Sequence, residues 1–186
     1  MSEVVRLTLL SHGMTGAMSA RRFPADEALN VLGVQQVGAV CDVGRADRVQ
    51  AGPEKRTRQT AELLGWQPEP DARLADLNCG RWRGEAPGSI ATAELTQWLT
   101  DPDSAPHGGE SIVELFERVR DWLDTVSRTP SRLLAVTHPA VIRAAMLVAL
   151  DAPPKSFWRI DIPPASRTIL HHRGRTWTLR SGIDHP

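Results

Sequence analysis

The sequence predicts an α/β fold in which helices cover both faces of a mainly parallel sheet. Two β-rich apolar runs, at 4–10 and 133–137, have the composition of strands that are buried on both faces. Stretches with helical spacing of apolar residues lie between and after these runs, so strands alternate with helices. The expected architecture is a three-layer α/β/α domain, and a length of 186 residues suits one domain over 1–186.

Four elements are expected in the first third of the chain. They are a strand at 4–10, a helix at 31–43, a strand at 48–51 and a helix at 53–64. Pro53 suits the first turn of the second helix, because its missing N–H has no partner there in any helix. The first helix is assigned from three side chains at helical spacing, namely Val34, Val37 and Cys41.

The rest of the chain begins with an irregular, proline-rich stretch at 66–110 and continues with regular elements. The strongest helical period in the sequence falls at 112–126, where seven apolar side chains share one helix face. The other expected elements are a short helix at 90–99, a strand at 133–137, a helix at 141–150 and two strands at 167–170 and 176–180.

The composition excludes several classes of protein. The 22 basic residues balance the 22 acidic ones, so no long-range field attracts nucleic acid or an anionic membrane. No stretch approaches the ~20 apolar residues that span a bilayer. Cys41 and Cys79 lie too far apart for a CxxC motif, which argues against a disulfide framework or a structural zinc site. A reducing, cytoplasmic location is therefore expected.

Two predicted strands end in a histidine. His12 follows the first strand, and His138 follows the strand at 133–137. In a parallel α/β sheet ligands bind beyond the carboxyl ends of the strands, so both imidazoles are expected near a ligand. A histidine that caps a turn is the plainer interpretation of each position by itself.

Six short motifs, in order from residue 5 to residue 145, extend this observation. They are Ser-His-Gly-Met-Thr at 11–15, Leu-Asn followed by Gly33 and Gln36 at 29–36, Ala-Gly-Pro-Glu-Lys-Arg-Thr-Arg-Gln-Thr-Ala-Glu at 51–62, the segment 74–84 that ends in Gly-Arg-Trp-Arg-Gly, Gly-Gly-Glu-Ser at 108–111, and the strand-histidine segment 134–143. In these motifs the chain resembles the histidine phosphatase superfamily, also called phosphoglycerate mutase-like. The resemblance covers about four fifths of the chain and implies the same three-layer fold.

The resemblance also implies the chemistry of a phosphomonoesterase. His12 attacks phosphorus through a neutral imidazole, Asp76 protonates the departing alcohol, and His138 completes the catalytic set beside the phosphate. Cationic and polar groups stabilise the equatorial oxygens of the transferring phosphoryl group. The phosphate-binding residues implied by motif position are Ser11, Arg56 and Thr15. No metal and no cofactor is required in this scheme.

The main departure from the family pattern is Ser11, which stands where relatives carry an arginine. A serine hydroxyl can hydrogen-bond a phosphate oxygen but brings no charge, and losing one such stabiliser costs about 10²–10³ in rate. Another cation can fill the gap, and Arg21, Arg22 and Arg83 lie in segments near the expected site. Without a replacement, the protein is a weak or inactive relative.

The expected function is hydrolysis of a small phosphorylated metabolite through a phosphohistidine intermediate. The alternative, from another class, is a catalytically weak or inactive protein that binds a phosphorylated ligand. A serine hydrolase that uses Ser11 fits poorly, because the chain has no Gly-x-Ser-x-Gly elbow. A nucleic-acid or membrane partner is not expected, and a homodimer stays open. The six tryptophans are expected in the core or partly in it, among them Trp82, Trp98 and Trp122, in preference to a ligand-binding box.

Overall fold

The computed structural model describes residues 4–40 and 43–181, which form a six-stranded sheet covered by helices. The strands are β1 (Val5–Ser11), β2 (Arg48–Ala51), β3 (Glu69–Pro70), β4 (Arg132–Thr137), β5 (Arg167–Arg173) and β6 (Thr176–Arg180). The helices are α1 (Gly16–Ser19), α2 (Val31–Gly38), α3 (Lys55–Leu63), α4 (Thr92–Thr100), α5 (Ile112–Ser127) and α6 (Pro139–Ala149). The predicted three-layer α/β/α fold is confirmed.

The sheet has the strand order β3-β2-β4-β1-β5-β6. The first four strands in this order are parallel to one another, and β5 and β6 add an antiparallel pair at one edge. The four parallel strands end at the same edge of the sheet, which is where ligands bind in folds of this kind. The two histidines expected to mark a ligand site follow β1 and β4, which lie side by side in the middle.

Side chains alternate between the two faces of the sheet, as the period of a strand requires. On β1, Leu7 and Leu9 belong to the larger core, to which α5 and α6 contribute, whereas Leu10 belongs to a smaller core with side chains of α3. On β4, Leu133 and Leu134 divide in the same way. The central strands are therefore buried on both faces, which explains why their sequences are apolar without strict alternation.

Helix α5 is the longest helix and has the most regular apolar face, as its sequence predicts. It begins with a capping box, in which Ser111 accepts from the amide of Glu114 while the Glu114 carboxylate accepts from the amide of Ser111. Its apolar side is buried in the larger core, and its opposite side carries charged residues. No helix in the described part of the chain is long and apolar enough to cross a bilayer.

The predicted boundaries are wrong in one helix. The helix expected over 31–43 is shorter, and Val34, which the spacing places on its apolar side, is 44% exposed. The buried residues of α2 are instead Gly33 and Val37, because the turn that follows β1 packs against them. Cys41, the third residue of the predicted apolar side, lies outside the described residues.

Candidate active site

Two histidines meet at the carboxyl end of the parallel strands. β1 and β4 are hydrogen-bonded neighbours, and their register places Ser11 opposite Thr137. His12 and His138 follow directly, and the His12 amide donates to the Thr137 carbonyl over 3.0 Å. Both imidazoles are buried, and their ring centroids lie 5.1 Å apart in an edge-to-face contact.

The His12 imidazole is held in one tautomer. Its Nδ1 lies 2.7 Å from the carbonyl oxygen of Gly13, and because a carbonyl can only accept, Nδ1 carries the proton. Burial, together with the neighbouring His138, lowers the pKa of His12 to about 3, so the ring is neutral at neutral pH. Nε2 therefore keeps its lone pair, and an oriented neutral imidazole of this kind is able to act as a nucleophile.

Arg56 and Asp76 form a buried ion pair beside the histidines. Arg56 lies in the first turn of α3, and its Nη2 donates to Asp76 Oδ2 over 2.7 Å. Its Nη1 donates to the carbonyl of Ala25 over 2.6 Å. Burial by itself raises the pKa of Asp76, but the positive charges of His138 and Arg56 outweigh burial, so this pKa is lowered. Asp76 is therefore a carboxylate at neutral pH.

Glu54 links the second histidine to the segment that carries the acid. One of its carboxylate oxygens accepts from His138 Nε2 at 2.8 Å, and the other accepts from the Asp76 amide at 3.0 Å. Burial acts to raise the pKa of Glu54, but the hydrogen bond from His138 and the His138 charge outweigh it, so the pKa is lowered. His138 Nδ1 lies 3.4 Å from Asp76 Oδ2. His138 is thus held between two carboxylates.

Sequence reasoning missed Glu54, although it lies inside one of the six motifs. An acidic residue directly before the first turn of a helix is common, since it interacts favourably with the helix dipole. That ordinary explanation conceals its contacts, because His138 lies 84 positions away in the chain. The structure adds a reason for the neighbouring glycine, because a Cβ on Gly52 would lie 3.0 Å from Glu54 Oε2 and 3.1 Å from His138 Nε2.

A cavity of about 190 Å³ opens beside this cluster. His12, Arg56 and Asp76 line the cavity, whereas His138 is fully buried against the His12 ring and is not part of the wall. Most of the remaining wall is apolar, and its other charged members are Arg22, Glu27 and Arg143. Among the residues that the structure describes, no group of three or more His, Cys, Asp or Glu side chains is placed to hold a metal ion.

Fold and site agree with a known family. The family model for the histidine phosphatase superfamily (branch 1) matches residues 7–184. This chain belongs to the histidine phosphatase superfamily. The resemblance carried by the six motifs is therefore confirmed.

Several members of the superfamily have names that describe an activity. A glucosyl-3-phosphoglycerate phosphatase of Mycolicibacterium vanbaalenii is 31% identical, over 85% of this chain and 79% of that protein. A bifunctional protein of Mycobacterium tuberculosis is 30% identical over 88% of this chain, which spans about half (49%) of that relative's length. The solved structure of a mycobacterial glucosyl-3-phosphoglycerate phosphatase in complex with VO3 has a TM-score of 0.82 at 26% identity, covering 94% of this chain and 96% of that one.

Two glycines of the superfamily pattern fix the turn that carries His12. A Cβ on Gly33 would lie 2.1 Å from the carbonyl oxygen of Met14, and one on Gly13 would lie 2.6 Å from the carbonyl oxygen of Gly33. Gln36 holds the same turn, because its side-chain oxygen accepts from the Met14 amide at 3.0 Å. Only glycine at these positions lets α2 approach closely enough to support the nucleophile candidate.

The Gly-Gly-Glu-Ser motif supports the segment that carries Asp76. A Cβ on Gly109 would lie 1.9 Å from a carbonyl oxygen of that segment, so the two chains are in backbone contact. Glu110 pairs with Arg118 at 2.7 Å, and Arg118 Nη1 donates to the carbonyl of Ala75 over 3.1 Å. The motif therefore positions Asp76 without lining the catalytic side of the cavity.

Ser11 and Thr15 are buried, and neither lines the cavity. The Ser11 hydroxyl has no hydrogen-bond partner in the part of the chain that the structure describes. The Thr15 hydroxyl accepts from the Met18 amide at 3.2 Å and donates to Glu27 at 3.1 Å, which makes Thr15 the N-cap of α1. Phosphate binding by these two residues stays a prediction.

Two arginines outside the catalytic cluster line the cavity. Of the three suggested as replacements for the missing family arginine, Arg22 is in the wall, whereas Arg21 and Arg83 are not. The second is Arg143 of α6, whose Nε donates to the Ile160 carbonyl over 2.7 Å. The sequence held a signal for it, since Arg143 is the one charged residue in an otherwise apolar helix.

The tryptophans do not all belong to the core. Trp82 and Trp122 are buried, as expected, and Trp98 is buried as well. Trp98 nevertheless lines the cavity together with Trp158, which is 36% exposed. Composition cannot separate these cases, because a tryptophan that packs against a core on one side can still offer its other side to a ligand.

The lowered pKa of His12 predicts how stability changes with pH. The unfolded chain takes up a proton near pH 6.5 and the folded chain only near pH 3, so acid favours unfolding. The share of the free energy of unfolding that depends on a neutral His12 is fully present above about pH 6.5 and is lost as the pH falls toward 3. About 2–3 kcal/mol is lost by about pH 4.5. Urea denaturation of the wild type and of His12→Gln measures this loss.

His12→Gln removes the titrating group and keeps a polar side chain of similar length. Its free energy of unfolding should fall less than that of the wild type between about pH 7 and about pH 4.5, because all other groups titrate in both proteins. Parallel losses in the two proteins would show that His12 is not held neutral by burial.

Proposed function

We propose that this chain is a phosphomonoesterase that transfers the phosphoryl group of a small phosphorylated metabolite to His12 and then to water. The observation that carries the proposal is the state of His12, whose Nδ1–H donates to Gly13 while its ring is buried, neutral and at the cavity wall. Arg56 and Asp76 line the same cavity and supply a cation and a carboxyl group. Attack, charge stabilisation and protonation are the three tasks of this reaction.

In the first step the Nε2 lone pair of His12 attacks phosphorus and the bond from phosphorus to the alcohol oxygen breaks. The departing alkoxide takes a proton from the Asp76 carboxyl group, so a neutral alcohol leaves. The phosphoryl group is then bound to His12, and Asp76 is a carboxylate. Arg56 stabilises the equatorial oxygens during the transfer, because its guanidinium is charged at every relevant pH.

In the second step water attacks phosphorus and the bond between phosphorus and Nε2 breaks. The Asp76 carboxylate takes one proton from the attacking water, which restores the carboxyl group, and inorganic phosphate leaves. His12 returns to the neutral form with its proton still on Nδ1, because the Gly13 carbonyl keeps that tautomer throughout. Both steps balance without a metal ion or a redox partner.

Asp76 must be protonated for the first step, although its ion pair with Arg56 favours the carboxylate. A phosphate dianion beside Arg56 brings negative charge close to Asp76 and competes for the guanidinium. Both effects raise the pKa of Asp76 in the complex. Substrate binding and proton uptake by Asp76 are thus coupled, and the acid is generated where the leaving group needs it.

Arg143 is proposed to replace the cation that Ser11 lacks. It lies in the cavity wall, and the charges of Asp161 and Asp76 both act on it. Among the residues that the structure describes, only its Nε donates a hydrogen bond, to the Ile160 carbonyl, so the Nη groups remain to bind phosphate oxygens. Burial lowers the pKa of Arg143, but the pKa of an arginine starts so far above neutral pH that the guanidinium stays charged.

The names of the relatives support a phosphatase over a phosphate-binding protein without activity. Relatives at 28–31% identity are called glucosyl-3-phosphoglycerate phosphatase and metal-independent phosphoserine phosphatase. A relative of known structure binds VO3, an oxyanion of the shape that a transferring phosphoryl group adopts. The binder remains the second candidate, since the Ser11 hydroxyl brings no charge to the site.

Replacing the nucleophile tests the proposal directly. His12→Ala should lower turnover of an aryl phosphate by at least about 10³-fold, because no other group is placed to form the covalent intermediate. His172→Ala, a half-buried histidine on β5, is the matched control and should stay within about twofold of the wild type. A radiolabelled phosphoryl group, trapped by alkaline quenching, should be recovered on His12.

A chelator should leave the wild type unaffected. Label on another residue, or activity that depends on added metal, would contradict the mechanism. Wild-type protein without turnover but with micromolar affinity for a phosphorylated metabolite would establish the binder instead.

The acid role of Asp76 predicts a dependence on the leaving group and on pH. Asp76→Asn should reduce kcat/KM for an alkyl phosphate by about 10²–10⁴ and for an aryl phosphate by much less, because an aryl oxide leaves without a proton. Since the pKa of Asp76 is lowered and that of His12 is about 3, wild-type kcat/KM for the alkyl phosphate should rise as the pH falls from about 7 to about 5. Equal losses on both substrates would exclude Asp76 as the acid.

The role of Arg143 can be tested by loss and by rescue. Arg143→Gln should lower kcat/KM for an aryl phosphate by about 10²–10³, whereas Arg83→Gln, outside the cavity, should change it by less than about twofold. Adding Ser11→Arg to Arg143→Gln should recover at least about tenfold of the loss, because it restores a cation from the position that relatives use. An Arg143→Gln variant as active as Arg83→Gln would show that Arg143 does not stabilise the phosphoryl group.

A further inference from the structure

We propose, on the basis of the phosphomonoesterase function above, that the alcohol half of the substrate carries an aromatic ring. The aromatic part of the cavity wall consists of Phe23, Trp98, Phe157 and Trp158. With phosphate at the charged end beside His12, the rest of the substrate lies within the same cavity, where these rings offer the largest side chains of the wall. The substrate class is an arylalkyl or aryl phosphate, as distinct from a phosphorylated sugar or amino acid.

The aromatic wall is assembled from three separate segments. Phe23 lies in the loop after α1, Trp98 on α4, and Phe157 with Trp158 on the turn after α6. The ring centroids of Trp98 and Trp158 are 4.5 Å apart, those of Trp98 and Phe23 are 5.5 Å apart, and those of Phe157 and Trp158 are 4.8 Å apart. These edge-to-face contacts fix the wall before a ligand arrives, so binding a ring costs little reorganisation.

Trp158 is the member of the wall that offers free surface. Phe157 beside it is 1% exposed and Trp98 is 8% exposed, whereas Trp158 is 36% exposed. An aromatic ring laid on Trp158 would be removed from water together with this exposed surface, which stabilises the complex. Trp158 thus packs against Trp98 and Phe157 inside the protein and still keeps surface for a ligand.

The polar groups of the wall are poorly suited to a substrate with many hydroxyl groups. Glu27 already accepts from the Thr15 hydroxyl and from the Ala25 amide. Burial raises the pKa of Cys79 to about 12, so this wall residue is an uncharged thiol that behaves as an apolar side chain. A sugar or glycerate group laid against the four aromatic rings would lose water hydrogen bonds that the rings cannot replace, which disfavours its binding there.

Arg143 adds a reason to expect an aromatic ring. Its guanidinium carbon lies 5.5 Å from the centroid of the Phe157 ring and 5.8 Å from that of Trp158. A planar cation among rings attracts the face of a further ring as well as a phosphate oxygen. One side chain thus borders both halves of the proposed substrate.

The test compares two alkyl phosphates with leaving groups of similar basicity, 3-phenylpropyl phosphate and glycerol 3-phosphate. We expect kcat/KM of the wild type to be at least about tenfold higher for the phenylpropyl compound, since one ring buried against an aromatic wall is worth that factor or more. Trp158→Ala should remove most of this preference while changing kcat/KM for glycerol 3-phosphate by less than about threefold. Trp158→Phe should keep most of the preference.

A matched control separates the wall from general effects of losing a tryptophan. Trp177→Ala removes a ring on β6 that contacts His172 and does not line the cavity, so both substrates should keep their ratio. Equal or faster turnover of glycerol 3-phosphate by the wild type would overturn the inference while leaving the phosphatase intact. The same holds for equal losses on both substrates in Trp158→Ala.

A binding measurement keeps the inference testable if the phosphatase proposal itself fails. Calorimetric titration of His12→Ala, which has no nucleophile, should give at least about tenfold tighter binding of 3-phenylpropyl phosphate than of glycerol 3-phosphate. Absent turnover on every phosphate ester, together with this binding preference, would reject the enzyme and retain the aromatic site. Equal affinities would reject the aromatic site whether or not the enzyme is active.

Discussion

The parallel, in-register pairing of β1 with β4 is the constraint on which the candidate site depends. Because Ser11 lies opposite Thr137, the residues that follow, His12 and His138, leave the sheet side by side. Each strand is buried on both faces, so a shift of register would move apolar side chains out of their layers. The hydrophobic core therefore fixes the distance between the two imidazoles more firmly than any contact between them does.

Around these histidines the fold buries a row of four polar and charged side chains that are each other's main partners. Arg56, Asp76, His138 and Glu54 contact one another in that order at 2.7, 3.4 and 2.8 Å. Removing one member would leave its neighbours charged and unpaired in a buried position, which costs far more than a surface ion pair gains. The same burial keeps His12 neutral, at the expense of stability in acid.

The charged and the aromatic ends of the cavity are positioned by different parts of the fold. At the charged end, His12 directly follows a strand and Arg56 lies in the first turn of a helix, so the sheet sets their positions, whereas Asp76 lies in the loop between β3 and α4. The aromatic end is made of side chains from α4, the loop after α1 and the turn after α6, where position is set by packing between segments. Helix α6 joins the ends, because Pro139 and Arg143 both line the cavity and lie one helical turn apart.

The sequence by itself determined the longer strands and helices and their order along the chain, the superfamily, and the position of His12 and His138 at strand ends, but not the short elements α1 and β3. These are local properties, since apolar runs, helical spacing and short motifs are written in consecutive residues. Only the tertiary structure decided that Glu54 holds His138, that Arg143 enters the cavity, that Val34 is exposed, and that Trp98 and Trp158 form a wall. Those facts rest on contacts between residues far apart in the chain, such as the 84 positions between Glu54 and His138. Sequence spacing carries no information about which distant segments meet, because those contacts depend on how all layers of the fold pack at the same time.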